Sequence, residues 1–304
     1  ALKVLNYDGA GYNVAVGHRA GYALTTGTVN TFIGAFAGGA TDDGTRNVVL
    51  GYAAMDTGNA GDDNIAIGYG ALQDIEADGT IAIGHQAMKV HTTGVRNIAI
   101  GYNAMSDTDA GSTSAGSSDN TFIGYNVAAG TWTDAGTNGN VGIGSYVMDA
   151  ACDGALYNTA VGAYALSAIT QADNVVAIGN SAAYTLTTAS NTVAIGTNAL
   201  KVHTTGERNI AIGTNAMDDT DAGSTSLSSA DNVFMGHDAG GGTWADAQSN
   251  QNVGIGSYAM DGALNGATNN VAIGYQVMSA ATTSDHMVVI GSQAGENVST
   301  GTSS

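Results

Sequence analysis

Two acidic segments contain the residues whose types and spacing are best suited to chemistry. Asp107 alternates with Asp109 in one segment and Asp219 with Asp221 in the other, and an Ala-Gly-Ser turn follows each pair. Alternating carboxylates ahead of a glycine can surround a hard cation such as Ca²⁺ with oxygen ligands. Neither segment has the third acidic position or the terminal glutamate of an EF-hand loop. A calcium site and a solvated acidic loop both stay open, and the sequence indicates no other cofactor.

The two tryptophans of the chain, Trp132 and Trp244, each follow a Gly-Thr pair. An exposed tryptophan in a projecting loop offers a platform for a sugar ring or an anchor for a protein partner. Tyr125 and His237 extend this candidate receptor-binding or glycan-binding surface. The alternative is that each tryptophan folds back over its own loop or over an interface between chains.

No arrangement of residues indicates catalysis, and no catalytic residue is assigned. The sequence has no Gly-x-Ser-x-Gly segment, no phosphate-binding loop with its lysine, and a single cysteine, Cys152. We therefore expect a protein that is not an enzyme. One enzymatic alternative stays open, a polysaccharide-degrading pair of carboxylates formed where acidic loops stack.

The composition excludes several classes of partner and fold. The net charge is −19, from 26 acidic and 7 basic residues, so the chain offers no basic surface for nucleic acid. No apolar run approaches the roughly 20 residues needed to span a bilayer, so membrane insertion is not expected. With 45 glycines, no proline and 43% hydrophobic residues, the chain is unlike an ordinary globular domain and too apolar for disorder. A repeat architecture fits this composition.

A glycine marks sixteen copies of one unit, and its spacing along the chain is nearly constant. These glycines are Gly17, Gly34, Gly51, Gly68, Gly84, Gly101, Gly124, Gly144, Gly162, Gly179, Gly196, Gly213, Gly236, Gly256, Gly274 and Gly291. The residues before the glycine alternate, as in Ile65-Ala66-Ile67, which predicts a short strand with Ile65 and Ile67 buried. A second apolar stretch, such as Ala104-Met105, predicts a second strand in each unit.

Such units cannot close a core alone, so we expect them to stack. The predicted fold is an all-β parallel β-solenoid of about sixteen turns, with coils about 4.8 Å apart. Twelve copies carry asparagine four positions before the glycine, and we expect these amides to form a structural ladder at one corner. The ladder includes Asn13, Asn30, Asn47, Asn64, Asn97, Asn209 and Asn270.

Aromatic residues recur directly after the repeat glycine. His85 and His237 occupy the position that Tyr69, Tyr102 and Tyr125 occupy in other units. This equivalence favours an aromatic row along one edge of the solenoid over metal binding by the histidines.

The chain divides into a lead-in, a repeat domain and a tail. We assign residues 1–12 to the lead-in, 13–295 to one continuous repeat domain and 296–304 to the C-terminal tail. A longer period is seen in two Lys-Val-His-Thr-Thr-Gly segments, which begin at Lys89 and Lys201. It defines a six-turn superrepeat over 84–195 and 196–304.

The Asn-x-Ala-Ile-Gly-x-x-Ala unit, found at residues 64–71 and 97–104, resembles the head repeat of YadA-like trimeric autotransporter adhesins. It is equally similar to the shaft repeats of bacteriophage tail fibres, and the resemblance covers roughly 13–295. It implies a left-handed parallel β-roll in a side-by-side homotrimer, a rigid rod that binds host surfaces. The small residues Ala66, Ala99 and Ala211 are then expected to allow close approach of neighbouring chains.

The long Gly/Asp/Thr-rich turns and the acidic composition favour the viral member of this pair. The predicted function is a rigid segment of a phage tail fibre or virion appendage, located on the virion surface, that presents host-receptor-binding loops. The alternative is a bacterial cell-surface trimeric adhesin or a self-assembling extracellular filament. The expected partners are copies of the chain itself, side by side or end to end, and a host cell-surface glycan or protein.

Overall fold

A computed structural model of the protein describes residues 11–91, 93–108, 116–132, 135–220, 228–244 and 247–301. The chain divides into two compact units, Ala1–Leu156 and Tyr157–Ser304. Each is an all-β parallel β-solenoid in which every repeat contributes one three-residue strand. The sequence pattern over 13–295 is continuous and gives no sign of this division.

Eight strands lie in the described part of the first unit. They are β1 (Val14–Val16), β2 (Thr31–Ile33), β3 (Val48–Leu50), β4 (Ile65–Ile67), β5 (Ile81–Ile83), β6 (Ile98–Ile100), β7 (Thr121–Ile123) and β8 (Val141–Ile143). Each strand pairs in parallel and in register with the strand of the next coil.

The residues described in the second unit also form eight strands. They are β9 (Thr159–Val161), β10 (Val176–Ile178), β11 (Val193–Ile195), β12 (Ile210–Ile212), β13 (Val233–Met235), β14 (Val253–Ile255), β15 (Val271–Ile273) and β16 (Val288–Ile290). Their pairing is again parallel and in register between successive coils. Among the described residues, each of the sixteen repeats supplies one strand directly before its glycine, where the first of the two predicted strands was placed.

The strands are oriented opposite to the prediction. The middle residue of each strand points into the coil, so Ala66, Ala99 and Ala211 are fully buried within the chain. They cannot mediate close approach of neighbouring chains. Ile65 and Ile67 lie on the outward face and are only partly buried. The expectation that these two isoleucines form the interior was therefore wrong.

The second apolar stretch of each repeat is a turn and not a strand. In the sixth repeat Asn103 and Met105 have φ angles of 52° and 50°, a left-handed conformation that an extended strand does not contain. Ala104 and Met105 nevertheless face inward and are fully buried. The apolar character of this stretch thus predicted its burial, but local left-handed residues set its path.

The repeat glycine makes the close stacking of coils possible. Gly101 has a φ of 139°, which residues with a side chain rarely adopt, and a Cβ placed on it would lie 2.0 Å from the carbonyl oxygen of Gly124. The backbone of the next coil occupies the space that a side chain would need. Any other residue at this position would therefore push two coils apart.

Candidate functional site

The corner asparagines connect successive coils. The backbone N–H of Asn47 donates to Oδ1 of Asn30 over 2.9 Å, and that of Asn64 donates to Oδ1 of Asn47 over 2.9 Å. Nδ2 of each asparagine reaches a backbone carbonyl of the next coil, as Nδ2 of Asn64 donates to the carbonyl of Ala77 over 2.8 Å. These buried amides satisfy backbone groups that water does not reach.

The same bonds recur along each unit. Other asparagines whose Oδ1 accepts the N–H of the equivalent residue in the next coil are Asn13, Asn97, Asn120, Asn158, Asn209, Asn232, Asn252 and Asn270. The receiving residue need not be asparagine, because Thr80, Val175 and Met287 also donate through their backbone N–H.

Trp132 and Trp244 are fully buried and do not form exposed platforms. Each ring packs edge-on against a phenylalanine inside the coil: Trp132 against Phe122, with ring centroids 6.2 Å apart, and Trp244 against Phe234, at 5.8 Å. The indole N–H of Trp244 donates to the carbonyl of Gly240 over 3.1 Å. Burial corrects the assignment of both tryptophans to a receptor-binding surface and favours the alternative, in which each covers its own loop.

The acidic segments are described only in part. Oδ2 of Asp107 accepts a hydrogen bond from Oγ1 of Thr131 over 2.6 Å, and Oδ2 of Asp219 accepts one from Oγ1 of Thr243 over 2.6 Å. Asp109 and Asp221 lie outside the described residues. Among the residues that the structure describes, no group of three or more His, Cys, Asp or Glu side chains is arranged to hold a metal ion. Calcium binding by these loops stays a prediction.

His91 and His203 occupy equivalent buried sites that the sequence did not indicate. Nδ1 of His91 lies 2.9 Å from Oγ1 of Thr108, and its Nε2 lies 2.9 Å from the carbonyl oxygen of Gly94. Both imidazoles are fully buried. Each ring contacts a glycine carbonyl in its own turn and a threonine hydroxyl in the next coil, and so links the two coils. The only sequence signal was their recurrence in the two copies of the superrepeat.

Arginine and aspartate side chains pair between adjacent coils on the surface. The pairs join Nε to Oδ1 and are Arg46–Asp63 at 2.6 Å, Arg96–Asp119 at 2.7 Å and Arg208–Asp231 at 2.6 Å. The hydrogen bond from the guanidinium lowers the pKa of each aspartate. Because the side chains are exposed, solvent screens these pairs and their effect on stability is small.

Carboxylates approach one another in the second unit. Partial burial raises the pKa of Asp218 to about 6, and the charges of Asp238 and Asp219 add to the shift. Partial burial also raises the pKa of Asp261, with a smaller contribution from Asp238. We therefore expect the stability of the coils around Asp218 to depend on pH.

The outward faces of the strands leave apolar side chains in contact with solvent. Leu50 and Ile143 are 45% and 40% exposed in the first unit, and Ile178 and Ile255 are 39% and 36% exposed in the second. Val, Ile, Leu or Met occupies the last strand position in every repeat. We call these outward residues the apolar strand face. Large exposed apolar patches mark interaction surfaces in soluble proteins.

Tyr125 and His237 lie on the surface, directly after the repeat glycine. Tyr125 belongs to an exposed row of rings that crosses successive coils of the first unit, stacked on Tyr102 with centroids 5.4 Å apart. His237 belongs to a shorter group, in which its Nδ1 lies 2.8 Å from Oδ2 of Asp238 and its ring meets Tyr258 edge-on. The predicted aromatic row therefore exists, but its longest run is in the first unit.

No protein-family model matches the sequence, and no curated protein matches it. The family resemblance therefore rests on the repeat motif alone. Within the described ranges, no helix has the length and apolar character needed to cross a membrane.

Proposed function

We propose that the chain is a structural and attachment protein, a stiff segment of a phage tail fibre or virion appendage that assembles side by side as a homotrimer. The observation that carries this proposal is the apolar strand face. The interior is already filled by the middle strand residues and the buried turn residues, yet every repeat directs further apolar side chains outward. Covering that face in a bundle of chains would remove it from water.

Stiffness follows from the way the coils are joined. Within each unit, successive coils are joined by in-register backbone pairing and, at most corners, by an asparagine amide, which supports a role in holding binding surfaces away from a particle. Repetition along the chain also favours attachment through many weak contacts. The choice of three chains, and of the virion, follows from the resemblance of the repeat motif.

The mass of the purified full-length chain in solution tests the assembly. We expect three chains in a discrete particle by analytical ultracentrifugation, with rods in negative-stain images. The double variant Ile178→Glu, Ile255→Glu should dissociate them, because charges cannot be buried in an apolar interface without a large cost. Thr188→Glu, an exposed substitution away from the strand face, serves as the control. A monomeric wild-type chain would overturn the proposed assembly.

Immunogold labelling tests the location. An antibody against the chain should label virion appendages when it is applied to virions, cells and free filaments from the sample that produces the protein. Label on cell surfaces, or on free filaments of indefinite length, would overturn the virion assignment and favour the adhesin or the extracellular filament.

A further inference from the structure

Five consecutive coils of the first unit present stacked rings that we call the aromatic ladder: Tyr52, Tyr69, His85, Tyr102 and Tyr125. The ring centroids are separated by 5.5, 5.2, 4.8 and 5.4 Å in that order, and the interplanar angles are 8°, 10°, 6° and 15°. The rings therefore lie nearly parallel, with their faces against one another and their edges toward solvent.

The fold does not require the aromatic ladder. In the second copy of the superrepeat, the counterparts of His85 and Tyr102 are Thr197 and Thr214. The strands beside these threonines pair in the same parallel register as those beside the rings. Other features are present in both copies, including the buried tryptophans. The coils thus also stack without the rings. We infer that the rings serve in binding and not in stabilising the fold.

The ladder offers hydrogen-bonding groups to a partner. Tyr52, Tyr69, Tyr102 and Tyr125 are 45 to 52% exposed. Within the part of the chain that the structure describes, their four phenol hydroxyls make no hydrogen bond to the protein. The rings follow one another at centroid distances of 4.8 to 5.5 Å, close to the length of one sugar residue in an extended chain. The ring faces are occupied by neighbouring rings, so a sugar would meet ring edges and hydroxyls.

The charge of the chain indicates which class of polymer the ladder can bind. The chain carries a net charge of −19, whereas the ladder is built from tyrosines and one histidine and contains no carboxylate, lysine or arginine. An anionic polymer would be repelled by the chain as a whole, and a cationic one would be drawn to the carboxylates elsewhere on the surface. The ladder best fits an uncharged polymer with regularly spaced hydroxyl groups.

We propose that the aromatic ladder binds an extended neutral polysaccharide lying parallel to the stack of coils. The inference rests on the attachment role proposed above and identifies its binding surface and the class of its ligand. Each ring contributes a weak contact through its edge or hydroxyl, and several contacts in register act together, so affinity rises with the number of sugars engaged.

Calorimetric titration of the full-length chain tests this inference. The probes are β-1,4-linked hexasaccharides of glucose, mannose and N-acetylglucosamine, with the matching disaccharides. We expect at least one hexasaccharide to bind about tenfold or more tighter than its disaccharide, as contacts along a row predict. The affinity should change little with salt, since no charge pairing is involved.

The double variant His85→Thr, Tyr102→Thr copies the residues of the second unit and should fold normally. We expect it to lose about tenfold or more in affinity, because two neighbouring contacts in the middle of the row are removed. Tyr275→Thr, at an equally exposed tyrosine outside the ladder, should leave binding unchanged. Circular dichroism and particle mass establish that each variant retains its fold and assembly.

Three results would overturn the inference. The first is a wild-type chain that binds none of the neutral hexasaccharides, and the second is a double variant with unchanged affinity. The third is a change in particle mass in the double variant, which would place the ladder in the interface between chains. A trimeric, virion-associated chain that fails the sugar titration would refute the ladder assignment alone, and a monomeric chain that binds sugar would refute the assembly alone.

Discussion

Replacing Asn64 by alanine tests whether the corner amides hold the coils together. Oδ1 of Asn64 accepts the N–H of Thr80 over 2.9 Å, and its Nδ2 donates to the carbonyl of Ala77 over 2.8 Å. Alanine removes both bonds and leaves two backbone groups of the next coil without partners. An unsatisfied buried polar group costs about 1 to 3 kcal/mol, so we expect a loss of about 2 to 6 kcal/mol.

Thr80→Ala provides a matched control at the same position of the adjacent coil. The hydroxyl of Thr80 makes only a 3.4 Å contact with the carbonyl of Asp78 and no bond to the following coil. Its backbone N–H keeps the bond to Asn64. We expect a loss of about 1 kcal/mol or less, the contribution of the small buried side chain.

Hydrogen exchange followed by mass spectrometry is the suitable assay, because repeat proteins open locally and not as one cooperative unit. A local loss of about 2 kcal/mol corresponds to about 30-fold faster exchange. In Asn64→Ala this should appear at the amides around Thr80, with the second unit unchanged. If Asn64→Ala and Thr80→Ala exchange at the same rates, the amide ladder does not stabilise coil stacking and the reasoning is refuted.

Two further predictions concern charge and backbone conformation. The pKa of Asp218 is raised in the folded chain, so its contribution to stability is present near pH 4 and is lost as pH rises through about 6. Asp218→Asn should therefore raise the free energy of unfolding in urea near pH 7.5, by about 1 kcal/mol after allowance for solvent screening, and leave it unchanged near pH 4. An equal gain at both pH values would contradict this assignment. Gly101→Ala should destabilise its unit by at least about 2 kcal/mol more than Gly291→Ala, because both glycines have similar φ angles but only Gly101 faces a carbonyl oxygen at 2.0 Å. Equal losses in hydrogen-exchange protection around the two sites would show that φ strain, and not contact between coils, requires the glycine.

The order of residues within each repeat predicted the position of the strand, which the overall composition could not. Alternation around Ile65-Ala66-Ile67 located the strand, but a period of two does not tell which of its two faces is inside. A usable signal was present at the middle strand position, where Phe122 is followed in the next coil by Gly142. A Cβ on Gly142 would lie 2.5 Å from the Phe122 ring, so a large and a small residue share one interior space. Such compensation is expected only between residues that face each other in a core.

The amino-acid pattern is enough to predict the strand positions, the glycine corner and the asparagine row, because each depends on residues within one repeat or on exact recurrence between repeats. Only the fold shows that Trp132 and Trp244 lie inside and that the Ala104-Met105 stretch is a turn. These outcomes depend on the width of the coil and on contacts between residues of different repeats. Backbone sterics and packing between coils determine these features, and a pattern within one repeat does not encode either.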